Sequence, residues 1–130
     1  MGAKEKALAL HNGGFNCAQS VLGALGEYTG LDEKTALAVT GGFGGGVRCG
    51  EICGACSGAV MALGLASPFT DGNDADARGR IARQAGSFTR QFAADQGCIR
   101  CIDLKRAGRP CDELIAYAAE AAETILKNQG

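Results

Sequence analysis

Seven cysteines in 130 residues are the side chains of this chain that could do chemistry. They fall in four places: Cys17 alone, Cys49-x3-Cys53-x2-Cys56, Cys98-x2-Cys101, and Cys111. The thiolate form of cysteine is both a metal ligand and a nucleophile, so such a set points to metal ligation or redox chemistry. An odd count cannot pair completely within one chain. Other reactive groups are scarce. The single histidine, His11, follows the amphipathic run 7–10 and precedes two glycines, so it is expected at the surface rather than as a ligand. No Ser-His-Asp set is present, and spacing singles out no carboxylate pair for acid–base work.

Spacing narrows the chemistry. Two C-x-x-C pairs suggest structural zinc, but 41 residues separate Cys56 from Cys98, longer than zinc-ribbon spacing. Covalent haem needs a histidine directly after C-x-x-C, and Ser57 and Ile102 follow here. A thioredoxin-like pair needs a preceding strand, and none is legible. Iron–sulfur ligation tolerates scattered cysteines supplied by several helices. A metal-free dithiol using Cys53–Cys56 or Cys98–Cys101 stays open, as does a zinc or soft-metal module without redox activity. Small buried cysteines also pack simply as hydrophobes.

Apolar spacing predicts the elements that must position these thiols, in five places. Ala18, Val21, Leu22 and Leu25 form a stripe at steps of three and four behind a capping Asn16. Asp32 caps a second, short helix through Ala36, Leu37 and Val39. A third, over 54–65, carries Val60, Met61, Leu63 and Leu65 with almost no charge, the pattern of a buried helix. The fourth runs over about 74–95 with Ile81, Ala85, Phe88 and Phe92 on one side. In the fifth, Leu114, Ile115, Ala118, Ala122, Ile125 and Leu126 make one stripe, and Glu120, Glu123 and Lys127 are expected to face water. Pro110 opens its first turn, and Asp112 and Glu113 suit its positive start. No segment alternates with period two. The expectation is an all-α fold, one cysteine-rich domain over 1–130, built as a bundle of about five helices.

On this layout Cys17, Cys53 and Cys111 stand at or beside helix starts, and Cys101 begins a short helical turn through Leu104. Free N–H groups and partial positive charge at a helix start favour a thiolate. Several such starts converging would stabilise an anionic centre such as an iron–sulfur cluster. Between helices two and three, five of the six residues 41–46 are glycine. Each glycine costs a helix about 1 kcal/mol relative to alanine. The stretch is therefore a Gly-rich loop, either a flexible connector or a backbone that must pass close to a cofactor or a partner subunit. It is neither a Walker loop nor a G-x-G-x-x-G turn, because no Gly-Lys-Ser/Thr follows and Val47 takes the last glycine position. If the loop approaches a cluster, the N–H groups of Gly44, Gly45 and Gly46 are placed to hydrogen-bond its sulfides.

Bulk composition removes other classes. Thirteen basic against fourteen acidic side chains give a net charge of −1, which argues against a nucleic-acid partner. The nearest basic stripe, Arg78, Arg80, Arg83 and Arg90, is interleaved with Asp74, Asp76 and Asp95 and reads as a solvated face. No segment approaches the roughly 20 apolar residues of a membrane span. Residues 1–14 carry Lys4, Glu5 and Lys6 and no signal-peptide run, so a cytoplasmic location is expected. The abundance of alanine and glycine, with two Tyr, five Phe and no Trp, implies closely approaching helices. A homodimer with the site near its interface is expected if such helices leave an apolar face open.

The segments Asn16-Cys17-Ala18-Gln19-Ser20-Val21, Gly41-Gly42-Phe43-Gly44-Gly45-Gly46 and Cys53-Gly54-Ala55, followed by Ser57-Gly58-Ala59 and Ala62-Leu63-Gly64-Leu65, carry a family resemblance. With Cys101 and the Arg109-Pro110-Cys111 turn, they resemble the small proteins named for a C…GCAxxG…C…C pattern, a segment of which also occurs in split-Soret cytochromes. The resemblance covers nearly the whole chain. It implies a helical fold and an iron–sulfur or thiol redox role, with no established reaction, substrate or redox partner. By the same resemblance Cys17, Cys53, Cys101 and Cys111 are the core ligands. Cys49, Cys56 and Cys98 are additions to the pattern, either auxiliary ligands to a larger or second cluster or a disulfide that switches the site.

Overall fold

The computed structural model describes residues 1–129. Along the chain run α1 (Ala3–Asn12), α2 (Cys17–Ala24), α3 (Gly26–Thr29), α4 (Glu33–Val39), a wide π-type turn (Gly46–Gly50), α5 (Gly54–Ala66), α6 (Ala75–Gln96), α7 (Cys101–Arg106) and α8 (Cys111–Lys127). No strand forms among the described residues. The single ladder contact is an isolated antiparallel bridge between Ile52 and Arg100. The all-helical expectation is met, but the expected count of about five is too low. The additional helices give little periodic signal: α1 buries only alanines, Ala3 and Ala7. The other two, α3 and α7, are four and six residues long.

Where the sequence supplied a cap, the helix begins behind it. Asn16 Oδ1 accepts from Gln19 N–H at 2.8 Å, Asp32 Oδ2 from Thr35 N–H at 3.0 Å, and Asp74 Oδ1 from Ala77 N–H at 3.0 Å. Each satisfies one of the N–H groups a helix start leaves free. The apolar α5 runs through the centre, with Ala55, Cys56, Ala59, Ala62 and Leu63 buried. It packs on α2 and α8; α1 lies against both of those, and α6 lies along α5 and α8. Small residues make the α2–α5 contact unusually close. A Cβ on Gly58 would lie 2.8 Å from the Ala18 carbonyl oxygen, so the two backbones nearly touch. The α6–α8 contact is aromatic, Phe92 meeting Tyr117 edge-on at 5.6 Å.

One side chain expected at the surface lies elsewhere. Glu123 is 9% exposed rather than solvated. Its Oε2 accepts from the Ala3 N–H at 3.1 Å and the Tyr28 hydroxyl at 3.0 Å, tying α8 to the start of α1. The unforeseen α1 supplies both the burial and the free amide that a carboxylate satisfies. Replacing Glu123 with alanine strands two polar groups and is expected to cost about 2 kcal/mol or more in chemical denaturation, with Glu123→Gln losing less. His11 stays partly exposed, as expected. Its Nδ1 lies 3.0 Å from the Phe15 carbonyl oxygen and its Nε2 3.3 Å from Asp112 Oδ1, so it links α1 to the first turn of α8.

The arginines of α6 behave as expected of a solvated face, all four being exposed. Arg78 lies over the Phe69 ring at 5.4 Å and Arg80 donates to Ser67 Oγ at 2.7 Å, pinning the α5–α6 connection. Beneath that connection, an apolar groove of about 600 Å³ runs between Leu22, Leu31, Val39, Met61, Leu65 and Phe69. It lies toward the C-terminal ends of α2 and α5, away from Cys17 and Cys53. No helix among the described residues is long and apolar enough to cross a membrane.

Candidate functional site

Each of Cys17, Cys101 and Cys111 is the first residue of its helix, and Cys53 is the residue that caps α5. The helix-start placement read from the sequence is met at all four positions. Cys17 is set by the reciprocal cap in which Asn16 N–H donates to Gln19 Oε1 at 2.9 Å while Gln19 N–H returns to Asn16 Oδ1. Cys53 N–H donates to the Ile99 carbonyl at 2.7 Å, and Cys101 N–H donates to the Glu51 carbonyl. The two short segments therefore lie antiparallel, bringing the starts of α5 and α7 side by side.

Cys17 and Cys53 meet. The Cys53 thiol is the strongest influence favouring the Cys17 thiolate, and the backbone amides at Gly45 and at the start of α2 act in the same direction. The Cys53 thiol and these amides outweigh partial burial and hold the Cys17 pKa down at about 6. Cys53 is the counterpart. Donation to the Cys17 sulfur and burial push it well above an ordinary thiol, against the N–H groups of Ala55 and Cys56. One sulfur is thus prepared as thiolate and its neighbour as thiol. The general expectation that every helix start favours a thiolate is corrected here: burial and the donor role reverse it at Cys53. At Cys111 the side chain reaches solvent, yet the protein packed round it and the nearby Cys17 push its pKa up, Lys105 opposing.

Reactivity should follow these states. Alkylation of Cys17 is expected to rise through about pH 6 and level off above pH 7, where an unperturbed cysteine is only a few per cent thiolate. Burial pushes Cys56 up to about 11, so it should stay unmodified across the same range in a site-resolved mass-spectrometric assay.

The glycine-rich stretch lies over this pair. A Cβ on Gly54 would fall 2.4 Å from the Cys17 sulfur, and one on Gly46 would fall 2.8 Å from Cys101 Cβ. The stretch is not a slack connector. Residues 45–48 all adopt the left-handed region, with φ of 62° at Gly45, 64° at Gly46, 57° at Val47 and 60° at Arg48. For Val47 and Arg48 this costs about 1–2 kcal/mol each, because Cβ crowds the following carbonyl. Strain of this kind persists only where the surroundings over-determine it, and it clusters at functional sites. Nothing in the residue types marked Val47 or Arg48; glycine at 44–46 was the only signal. Of the three glycines expected to approach a cofactor, a Cβ on Gly44 would meet Asn16 and one on Gly46 would meet Glu51 and Cys101, while nothing lies within 4 Å of one on Gly45.

The three additional cysteines differ from one another. Cys56 is fully buried in the core. Cys49 ends the strained turn, exposed, its thiol donating to the Gly46 carbonyl at 3.4 Å. Cys98 is half-buried, 3.9 Å from the Arg100 carbonyl oxygen. Among the described residues no three His, Cys, Asp or Glu side chains are placed to hold one metal ion together.

An all-helical chain that assembles four cysteines at four helix starts, one a stabilised thiolate, is a thiol-centred protein of the kind suited to redox chemistry. The chain belongs to the family described as "Putative redox-active protein (C_GCAxxG_C_C)", whose profile matches residues 15–125. Neither a curated protein nor a solved structure gives a match.

Proposed function

We propose that this chain is a thiol–disulfide redox protein whose working pair is Cys17 and Cys53. The contact between a thiolate at the start of α2 and a buried thiol capping α5 carries the reading. Thiol–disulfide exchange needs these two parts. The half-exposed Cys17 thiolate attacks one sulfur of a partner disulfide, forming a mixed disulfide and expelling the partner's other sulfur as thiolate. Cys53 then gives up its proton to that departing thiolate and attacks the Cys17 sulfur, breaking the mixed disulfide and expelling the partner's first sulfur as a thiolate that takes a proton from water. The products are a Cys17–Cys53 disulfide and a partner dithiol, with two electrons passed to the partner. The Cys53–Cys56 pair gives a poorer fit, because Cys56 is fully buried in the core.

Oxidation of the reduced protein with glutathione disulfide, followed by alkylation and peptide mapping, is expected to find one dominant bond, Cys17–Cys53. A bond between Cys98 and Cys101, or none, would sink this reading.

An iron–sulfur protein is the second reading, favoured by one observation: all four cysteines of the family pattern begin or cap helices, where backbone N–H groups stabilise thiolates. It would use Cys17, Cys53, Cys101 and Cys111 as ligands, with Cys49, Cys56 and Cys98 as auxiliary ones. As arranged here, no three His, Cys, Asp or Glu side chains among the described residues fit a shared metal ion. Iron and acid-labile sulfide in brown, anaerobically purified protein would favour it over the dithiol.

A further inference from the structure

We propose that the apolar groove between α4, α5 and the α5–α6 connection is a binding site for a free long-chain carboxylate. The site is separate from the thiol pair, lying toward the C-terminal ends of α2 and α5.

The lining sets the tail. At about 600 Å³ the groove falls within the roughly 300–1,000 Å³ of small-molecule sites. Leu22, Leu31, Met61 and Ile81 line it, and its two hydroxyl-bearing residues, Thr35 and Thr70, are exposed at the edge. A heterocycle or sugar held there would leave its polar atoms unpaired, so the part of a ligand that enters is hydrocarbon. Gly64 points the same way. On the same helix, a Cβ at Gly54 or Gly58 would collide with α2, so close approach requires both glycines. At Gly64 nothing lies within 4 Å of a Cβ, although glycine is less stable in a helix than alanine. Its missing side chain widens the groove instead.

Charge sets the head group. Arg78 lies over the ring of Phe69, which walls the groove, and Arg80 holds Ser67 beside Pro68. Both guanidiniums are exposed, and neither makes an ion pair among the described residues, even with Asp76, which precedes them on α6. Asp71 and Asp74 are turned onto the N–H groups of Asn73 and Ala77. The α4 side is acidic by contrast, with the Thr35 hydroxyl bonded to Asp32. An anion is therefore directed to the arginine end, where a guanidinium fork matches a carboxylate. A second copy of the chain fits less well. Filling the groove needs a protruding apolar side chain, and the large exposed ones of this face, Val39, Leu65 and Phe69, are its own walls.

Amide chemical-shift titration with decanoate tests this, with decan-1-ol as the uncharged control. Decanoate is expected to saturate one site, with shifts confined to α4, the C-terminal half of α5 and residues 67–81. The alcohol should bind at the same place about tenfold more weakly. Replacing both arginines, Arg78→Gln with Arg80→Gln, should weaken decanoate about tenfold and leave the alcohol within about twofold. Gly64→Leu fills the groove from a position with room for a side chain and should remove binding of both. No saturable decanoate binding, shifts centred elsewhere, equal affinity for acid and alcohol, or binding retained by Gly64→Leu overturns the proposal. So does a dimer seen by sedimentation in wild type and lost in Gly64→Leu, because the occupant is then a second copy. Should a variant not fold, the acid–alcohol ratio and the map of shifted amides in wild type still decide the matter.

Discussion

Replacing Cys17 with serine is expected to abolish two-electron oxidation of the reduced protein by a disulfide oxidant, lowering the rate at least a hundredfold. A serine hydroxyl stays protonated where the Cys17 thiol is held at about 6, so the attacking anion is removed outright. Cys53→Ser should behave differently. Cys17 can still attack, but no neighbouring sulfur resolves the product, so a mixed disulfide with the oxidant accumulates and is visible by mass. Cys56→Ser is the control. It lies on the same helix one turn further along, wholly inside the core, and should retain oxidation while losing about 1–2 kcal/mol of stability for a buried hydroxyl. Rapid mixing with glutathione disulfide, read by intact mass, distinguishes all three. Equal rates in wild type and Cys17→Ser would exclude Cys17 as the entry point.

The second large effect is expected at Gly54. Alanine there would place Cβ 2.4 Å from the Cys17 sulfur, 3.0 Å from the Phe43 carbonyl oxygen and 3.1 Å from the Ala18 nitrogen. Two of those three neighbours are backbone and cannot swing aside. Overpacking of this sort costs about 3 kcal/mol, against a helix-propensity gain of at most about 1 kcal/mol. The clash wins, and it also displaces Cys17 from Cys53. Gly54→Ala should therefore lose both stability and the Cys17–Cys53 disulfide. Gly64 supplies the contrast on the same helix. Nothing lies within 4 Å of a Cβ built there. Gly64→Ala is expected to stabilise by about 0.5–1 kcal/mol, through reduced freedom of the unfolded chain and better helix propensity. Urea denaturation of the pair tests whether close approach or helix propensity governs these glycines.

Legibility differed from element to element. Helices α2, α4, α5, α6 and α8 were readable because caps and apolar stripes repeat the helical period over many residues. Helix α1 was not: a face of two alanines looks like any mixed segment until α2 and α8 close over it. Glu123 shows the same blindness. In a helical projection it belongs to the polar side, and only the arrival of Ala3 N–H and Tyr28 gives it a reason to be buried. For the candidate site, the four helix-start cysteines followed from local pattern. Their pairing did not, since Cys17 and Cys53 are far apart in sequence and the C-x-x-C spacing pointed to other partners.

By itself the sequence determined an all-helical chain and cysteines at the starts of its helices. These are local properties, set by side-chain period and capping chemistry. The tertiary structure alone decided which thiol becomes the anion. All four cysteines have helix-start amides in common, so the distinction comes from what else surrounds them. At Cys17 the Cys53 thiol, and after it the backbone amides of Gly45 and Ala18, favour the anion. Cys53, as the donor and the more buried of the two, keeps its proton.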